Sequence, residues 1–218
     1  MTRSPTWVEL TALVLGPLQT NTYILRCGGE CWVVDPGIWP GPLIERLGAL
    51  SVGPAKAMIT HGHFDHIAGI DELKAAFPRV RVICPAADAA MLTSGELNMS
   101  AAFGVSSTVS PADDLIEPGA ALTLGDSSWT VLDTSGHTKG GVSFYCAKAG
   151  MVLTGDALFA DSVGRTDIPG GSASRLLRNI RQNLLALPDD TKVYPGHGEA
   201  STIGHEKQYN PFFAGKLE

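Results

Sequence analysis

No stretch of this chain stays apolar long enough to span a bilayer, and its opening, MTRSPTWVEL, lacks the hydrophobic run of a signal peptide. No membrane contact is expected, and the cytoplasm is the expected location. Basic residues are in the minority, since 16 Lys and Arg against 22 Asp and Glu give a formal charge of −6. A protein whose task is to grip phosphate backbones carries the opposite balance, so nucleic acid is not an expected partner. Cysteine is scarce as well. Four in 218 residues do not form a secreted disulfide framework. Cys84 and Cys146 lie in apolar, strand-like runs as small hydrophobes. Cys27 and Cys31 flank Gly28-Gly29-Glu30 at an expected hairpin turn. A cross-strand disulfide or a metal clip is the alternative there to the reduced thiols expected of a cytosolic chain. No internal repeat is evident.

The length suffices for one domain with a substantial core, expected over residues 1–218. Strands are predicted at Val8–Leu15, Thr22–Arg26 and Cys31–Val34, with Asp35-Pro36-Gly37 ending the third. A short helix over Pro42–Leu50 and an apolar run over Ala55–Thr60 follow. Helical spacing then covers Ile67–Phe77 up to Pro78, a strand Val80–Cys84, and a helix Pro85–Leu92 opened by its proline. From Thr93 to Pro118 periodicity fades into Ser, Gly, Asn and paired acids, which reads as a long surface excursion forming a lip over a site. Strands resume at Ala121–Leu124, Trp129–Leu132, Val142–Cys146, Met151–Leu153 and Lys192–Tyr194. The clearest amphipathic helix is Ser172–Leu187, and a short one is predicted at Thr202–Tyr209. Strands and helices alternate in both halves. The predicted fold is α/β, with two mixed sheets sandwiched between outer helices.

Histidine is also rare, six in all, yet three fall within THGHFDHIAG at residues 60–69. A helix would spread His61, His63, Asp65 and His66 around its circumference, and a strand would divide them between two faces. A loop at a strand end lets them converge. Three other segments share that placement: LDTSGH ends at His137, MVLTGD at Asp156 and VYPGH at His197. Glycine stands directly before each of these three, permitting close backbone approach. One histidine alone reads as a satisfied structural residue, and His205 in IGHEKQY is read that way. Five at strand ends beside Gly and Asp read as a metal site, and a His/Asp set without cysteine suits zinc, iron or manganese. Seven ligands exceed one ion's needs. Two divalent ions about 3.5 Å apart, sharing a carboxylate, would use them all.

HxHxDH at 61–66, GH at 136–137, TGD at 154–156 and GH at 196–197 resemble the metallo-β-lactamase superfamily. The ordered match runs from residue 35 to 197. The resemblance implies an αββα sandwich. It places His61, His63 and His137 on a first metal and Asp65, His66 and His197 on a second, with Asp156 bridging. LFADSVGRTDIPGG at 158–171 and the tail GHEKQYNPF are similar to short glyoxalase II-type hydrolases, relatives of hydroxyacylglutathione hydrolase. Only 21 residues of the 218 follow His197, too few for the helical domain that helps those enzymes hold glutathione. Lys139 in GHTKGG stands where that family usually has proline.

The implied activity is hydrolysis of a small-molecule thioester such as lactoylglutathione. Two cations, most simply Zn2+, make a bridging water acidic near neutral pH; for a single zinc the shift is already from ~15.7 to about 7. A metal ion stabilises the oxyanion as charge develops. Catalytic roles fall to Asp65, which also orients the nucleophile, and to Asp156. Asp35 is expected to bond backbone amides beside the cluster. Arg165, in GRTD, is either an anchor for a substrate carboxylate or the ion-pair partner of Asp167. A mononuclear iron persulfide dioxygenase using His61, His137 and Asp156 is the rival reading, and a non-catalytic metal-binding module the second. Fold alone would also admit a β-lactamase or a nuclease.

Overall fold

The computed structural model describes residues 7–214. Side-chain alternation decides the layering. In β2 (Thr20–Cys27) Ile24 faces one way while Tyr23, Leu25 and Cys27 face the other. In β3 (Glu30–Val34) Cys31 and Val33 share the face of Ile24, and Trp32 and Val34 share that of Leu25. Both faces of these strands are apolar, so both must be covered.

The first sheet runs β1 (Glu9–Leu15), β2, β3, β4 (Lys56–Met58), β5 (Arg81–Pro85), β6 (Asp114–Ile116), antiparallel as far as β3 and parallel beyond it. The second sheet contains β7 (Ala121–Leu124), β8 (Ser127–Asp133), β9 (Val142–Cys146) and β10 (Met151–Gly155). A small ribbon follows from β11 (Leu158–Phe159) and β12 (Ser162–Val163). The second sheet is completed by β13 (Lys192–Pro195), parallel to β10, and β14 (Ser201–Thr202) at its edge. Between the sheets lies a core in which Trp32 and Trp129 approach to 5.9 Å between ring centroids. Helices α1 (Gly41–Gly48), α2 (Phe64–Ile67) and α3 (Ile70–Ala76) cover the first sheet through Leu43, Leu47, Ile67, Ile70 and Leu73. Helix α4 (Ala173–Asn179) with the turn Ile180–Leu184 that continues it, and α5 (Ile203–Tyr209), cover the second through Leu176, Ile180, Leu184 and Ile203. This is the expected four-layer α/β sandwich of two mixed sheets between outer helices.

Three local expectations are corrected. The helix predicted over Ile67–Phe77 is broken at Ala68–Gly69 into α2 and α3. Gly69 lies against the Asp35-Pro36-Gly37 turn so closely that a Cβ there would stand 2.5 Å from the Gly37 carbonyl oxygen. The predicted helix after Pro85 is a 3₁₀ helix, Ala86–Thr93. The 93–118 excursion is not without regular structure, since it contains a 3₁₀ turn at Ser100–Phe103 and the edge strand β6. The cysteines are free and buried. Cys27 packs between the sheets and Cys31 on the opposite face, paired with Arg26, so strand alternation itself keeps the two thiols apart. Among the described residues no helix is long and apolar enough to cross a membrane.

Candidate metal centre

The C-terminal ends of β3, β4, β8, β10 and β13 open on one edge of the sandwich, and each leads into a loop bearing at least one of the singled-out residues. Backbone hydrogen bonds from Val142 N to Thr60 O (2.9 Å) and from Asn21 N to Gly196 O (2.7 Å) tie the two sheets together at this edge. The glycines have individual reasons. Gly155 has φ +49°. At Gly196 a Cβ would run into the Asp156 carboxylate and the His66 ring. Asp65 and His66 sit not in irregular loop but on the single turn of α2, with His63 as its N-cap residue.

All seven predicted residues meet. Donor atoms of His61, His63 and His137 lie within 4.8 Å of one another, as do those of Asp65, His66 and His197. Asp156 lies between the two groups, with Oδ1 3.4 Å from His66 Nε2 and Oδ2 3.6 Å and 3.5 Å from His137 Nε2 and His197 Nε2. Five of the seven are buried, and Asp156 and His197 are partly exposed.

The hydrogen bonds around the imidazoles fix which nitrogens face inward. His66 Nδ1 donates to Asp35 Oδ2 at 2.9 Å, His137 Nδ1 to the Arg165 carbonyl at 2.7 Å, and His197 Nδ1 to the Gln19 carbonyl at 3.3 Å. In each neutral ring the Nε2 lone pair is then free and aimed at the centre. His66 Nε2 and His197 Nε2 face each other at 3.3 Å. His137 Nε2 faces His63 Nδ1 at 2.9 Å. The buried atoms His61 Nε2, His63 Nε2 and Asp156 Oδ1 have no hydrogen-bond partner. Facing lone pairs and orphaned buried acceptors are costly unless a cation lies among them. The donor set therefore fits two divalent ions.

Electrostatics agree. Burial and then the neighbouring His66 push His61 below its usual range, and burial and His137 push His63 down to about 3. Burial opposes ionisation of Asp65 and of Asp156, but nearby imidazoles, His66 foremost, outweigh it and hold both carboxyls low. Burial likewise opposes a proton on His66, yet Asp65 and Asp156 outweigh it and raise that ring. The carboxylates thus demand positive charge at the centre.

Asp35, expected to bond amides near the cluster, accepts from Thr60 N at 2.8 Å and from the Thr60 hydroxyl at 2.6 Å as well as from His66. Of the two readings of Arg165, the ion pair is what the side chain forms: its guanidinium meets Asp167 at 2.8 and 2.9 Å, both groups exposed. His205 lies apart, paired with Asp161 at 2.7 Å.

Several supporting residues were not singled out from the sequence. Thr20 donates to Asp65 Oδ2 at 2.9 Å. Asp88, 1% exposed, accepts from Gly62 N (3.1 Å), the Thr138 hydroxyl (2.6 Å) and Gly140 N (2.7 Å), clamping the His61–His63 loop to the His137 loop. Asn179 donates to Ser135 O and Asp133 Oδ1, and Asn183 to Asp133 O, at a wide π-helical turn (Ile180–Leu184) that extends α4. A charge inside the otherwise apolar run AADAAM was the one available signal for Asp88.

Five of the seven, His63, Asp65, His137, Asp156 and His197, floor an open cleft of about 220 Å³, with His61 and His66 beneath them. Its walls are Leu18, Phe64, Met99, Phe103 and Ile168, with Arg165 at the edge. Met99 and Phe103 belong to the 93–118 excursion, which does form a lip.

The profile of the Metallo-beta-lactamase superfamily matches residues 15–197. Over 202 residues the chain is 36% identical to "Probable metallo-hydrolase YqgX" of Bacillus subtilis (strain 168), covering 92% of this chain and 95% of that one. It is 33% identical over 186 residues to "Hydroxyacylglutathione hydrolase GloC" of Haemophilus influenzae, covering 84% and 87%. Among solved structures, the BLEG-1 B3 metallo-beta-lactamase superposes with a TM-score of 0.90 at 37% identity, covering 95% of this chain and 100% of that one. TTHA1623 in a di-iron-bound form gives 0.84 at 33%, covering 93% and 99%. With all seven clustered residues inside the matched span, the chain belongs to the metallo-beta-lactamase superfamily.

Proposed function

We propose that the protein is a dinuclear metal-dependent hydrolase of small thioesters. The observation that carries this reading is the ring of inward-facing, unpartnered imidazole and carboxylate lone pairs at the floor of an open, apolar-walled cleft. His61, His63 and His137 would hold one ion, Asp65, His66 and His197 the other, and Asp156 both. When bound, two divalent ions would supply Lewis acidity and a nucleophilic water near neutral pH. Zinc is the simplest occupant of the His/Asp set, while the di-iron form of TTHA1623 makes iron a direct alternative.

The chain's own residues hold the ligands in place. Asp35, the Arg165 carbonyl and the Gln19 carbonyl each take the outer N–H of one imidazole, and Thr20 fixes the Asp65 oxygen. Apart from His63, Asp65, His137, Asp156 and His197, the residues lining the cleft are apolar except for Arg165. None is a proton donor suited to an amine leaving group. A thiolate leaves without one, which favours a thioester over an amide. The similarity to GloC points the same way, and that to BLEG-1 makes a β-lactam the control substrate.

Zinc- and iron-loaded protein should be assayed side by side on lactoylglutathione, a glutathione persulfide and a β-lactam. Metal-dependent thioester cleavage well above both other activities is expected. Turnover of the persulfide alone would support the iron dioxygenase, and turnover of the β-lactam alone a lactamase.

A further inference from the structure

The walls of the cleft are more specific than its floor. Leu18 comes from the turn between β1 and β2, Phe64 from α2, Met99 and Phe103 from the lip, and Ile168 from the loop after β12. Arg165 is the one lysine or arginine among the lining residues, and its guanidinium is neutralised by Asp167. The rim thus offers a charged substrate little, and an apolar group much.

The lip is built, not loose. Met99 has φ +72°, a left-handed conformation that a long side chain adopts only when its surroundings impose it. Those surroundings are on either side. Asn98, fully buried, takes Ser100 N on its Oδ1 and donates to Ser107 O, and its own carbonyl accepts from Phe64 N at 3.0 Å. Ser100, also buried, accepts from Ser107 N. The strained residue and the ring of Phe103 are thereby carried over the ligands, where Phe103 lies 5.2 Å from Phe64 between centroids. Phe103 remains 59% exposed. Folding alone gives no reason to aim so much apolar surface at a metal-ligating floor. A substrate does.

We infer that the preferred substrates carry a small, uncharged, apolar group next to the scissile carbonyl, seated against Phe103 and Met99, and that the lip selects for it. The inference rests on the thioester-hydrolase reading. The cleft of about 220 Å³ is smaller than the ~300–1,000 Å³ that encloses a drug-sized ligand, so it takes one short chain or ring. Such a group lies on either the acyl or the thiol side of the carbonyl, and its chemistry is the same in both.

The test uses zinc-loaded full-length protein with N-acetylcysteamine thioesters of acetate, butanoate and hexanoate, S-benzyl thioacetate, and lactoylglutathione. Catalytic efficiency should rise about tenfold from acetyl to hexanoyl, or from acetyl to S-benzyl, as partial burial of the added carbons contributes to binding. Lactoylglutathione should fall below the better of these. Phe103→Ala should bring the hexanoyl-to-acetyl or benzyl-to-acetyl ratio near one, mainly through KM, with zinc content unchanged. Phe103→Leu should restore part of it. A flat series, a preference for lactoylglutathione, or a rise that survives Phe103→Ala would overturn the inference while leaving the hydrolase reading intact. If no thioester is cleaved by fully loaded protein, both fail.

Discussion

His66 and His197 point their Nε2 atoms at each other across 3.3 Å, while the outer nitrogens are committed to Asp35 and to the Gln19 carbonyl. The first residue comes from a helix over one sheet and the second from the end of a strand in the other. Turning either ring away would break its outer hydrogen bond, so the pair stands oriented as the proposed second ion requires.

Asp35→Asn tests that presetting. An amide nitrogen facing His66 Nδ1 would force the other tautomer and put a proton where the lone pair must be. Asparagine tolerates the left-handed backbone at this position, φ +51°, so the turn itself should survive. Affinity for the ion at His66 should drop by about 10–100-fold, measured by metal titration against a competing chelator. An unchanged second affinity would show that Asp35 only shapes the turn.

Asp88→Ala removes a buried acceptor from two backbone N–H groups and one hydroxyl. Chemical denaturation of metal-free protein should show a loss of about 2–3 kcal/mol. Because the clamp joins the His61–His63 and His137 loops, the first ion should also bind more weakly. A loss of stability with no change at that ion would make the clamp purely structural.

In metal-free protein, His61 and His63 resist protonation and His66 favours it. The unfolded chain protonates all three near pH 6.5. Between about 6.5 and His63's value of about 3 the unfolded state binds more protons, so stability should fall as pH is lowered. His66 has the opposite sign: its contribution is full below about 6.5 and lost as pH rises through its folded value. Urea midpoints of the metal-free protein should therefore be highest near pH ~6.5 and lower on both sides. A midpoint that rises steadily toward acid would contradict the placement of His61 and His63.

Much of this was legible in the sequence because the signals are local. Strand alternation, glycine before each distant ligand, and HxHxDH after an apolar run are read within a few residues. What escaped is held by contacts between distant segments. Asp88 acts across 26 and 52 residues, and Thr20 reaches Asp65 across 45. The break at Gly69 comes from a turn more than thirty residues earlier in the chain, at Pro36-Gly37. The helix Ser172–Leu187 was found, but not its π-helical turn, at which Asn179 and Asn183 hold the strand leading to His137. The sequence leaves Arg165 two roles, and the folded loop decides for the ion pair with Asp167.

The most direct test of the account is metal stoichiometry, by elemental analysis of protein grown with zinc or iron, for the wild type and for Asp156→Ala. Asp156 stands 3.4–3.6 Å from ligands of both groups. Wild type should approach two ions per chain, and Asp156→Ala should bind both more weakly. A wild type that holds one ion tightly and never a second, with Asp156→Ala affecting that ion alone, would contradict the dinuclear centre.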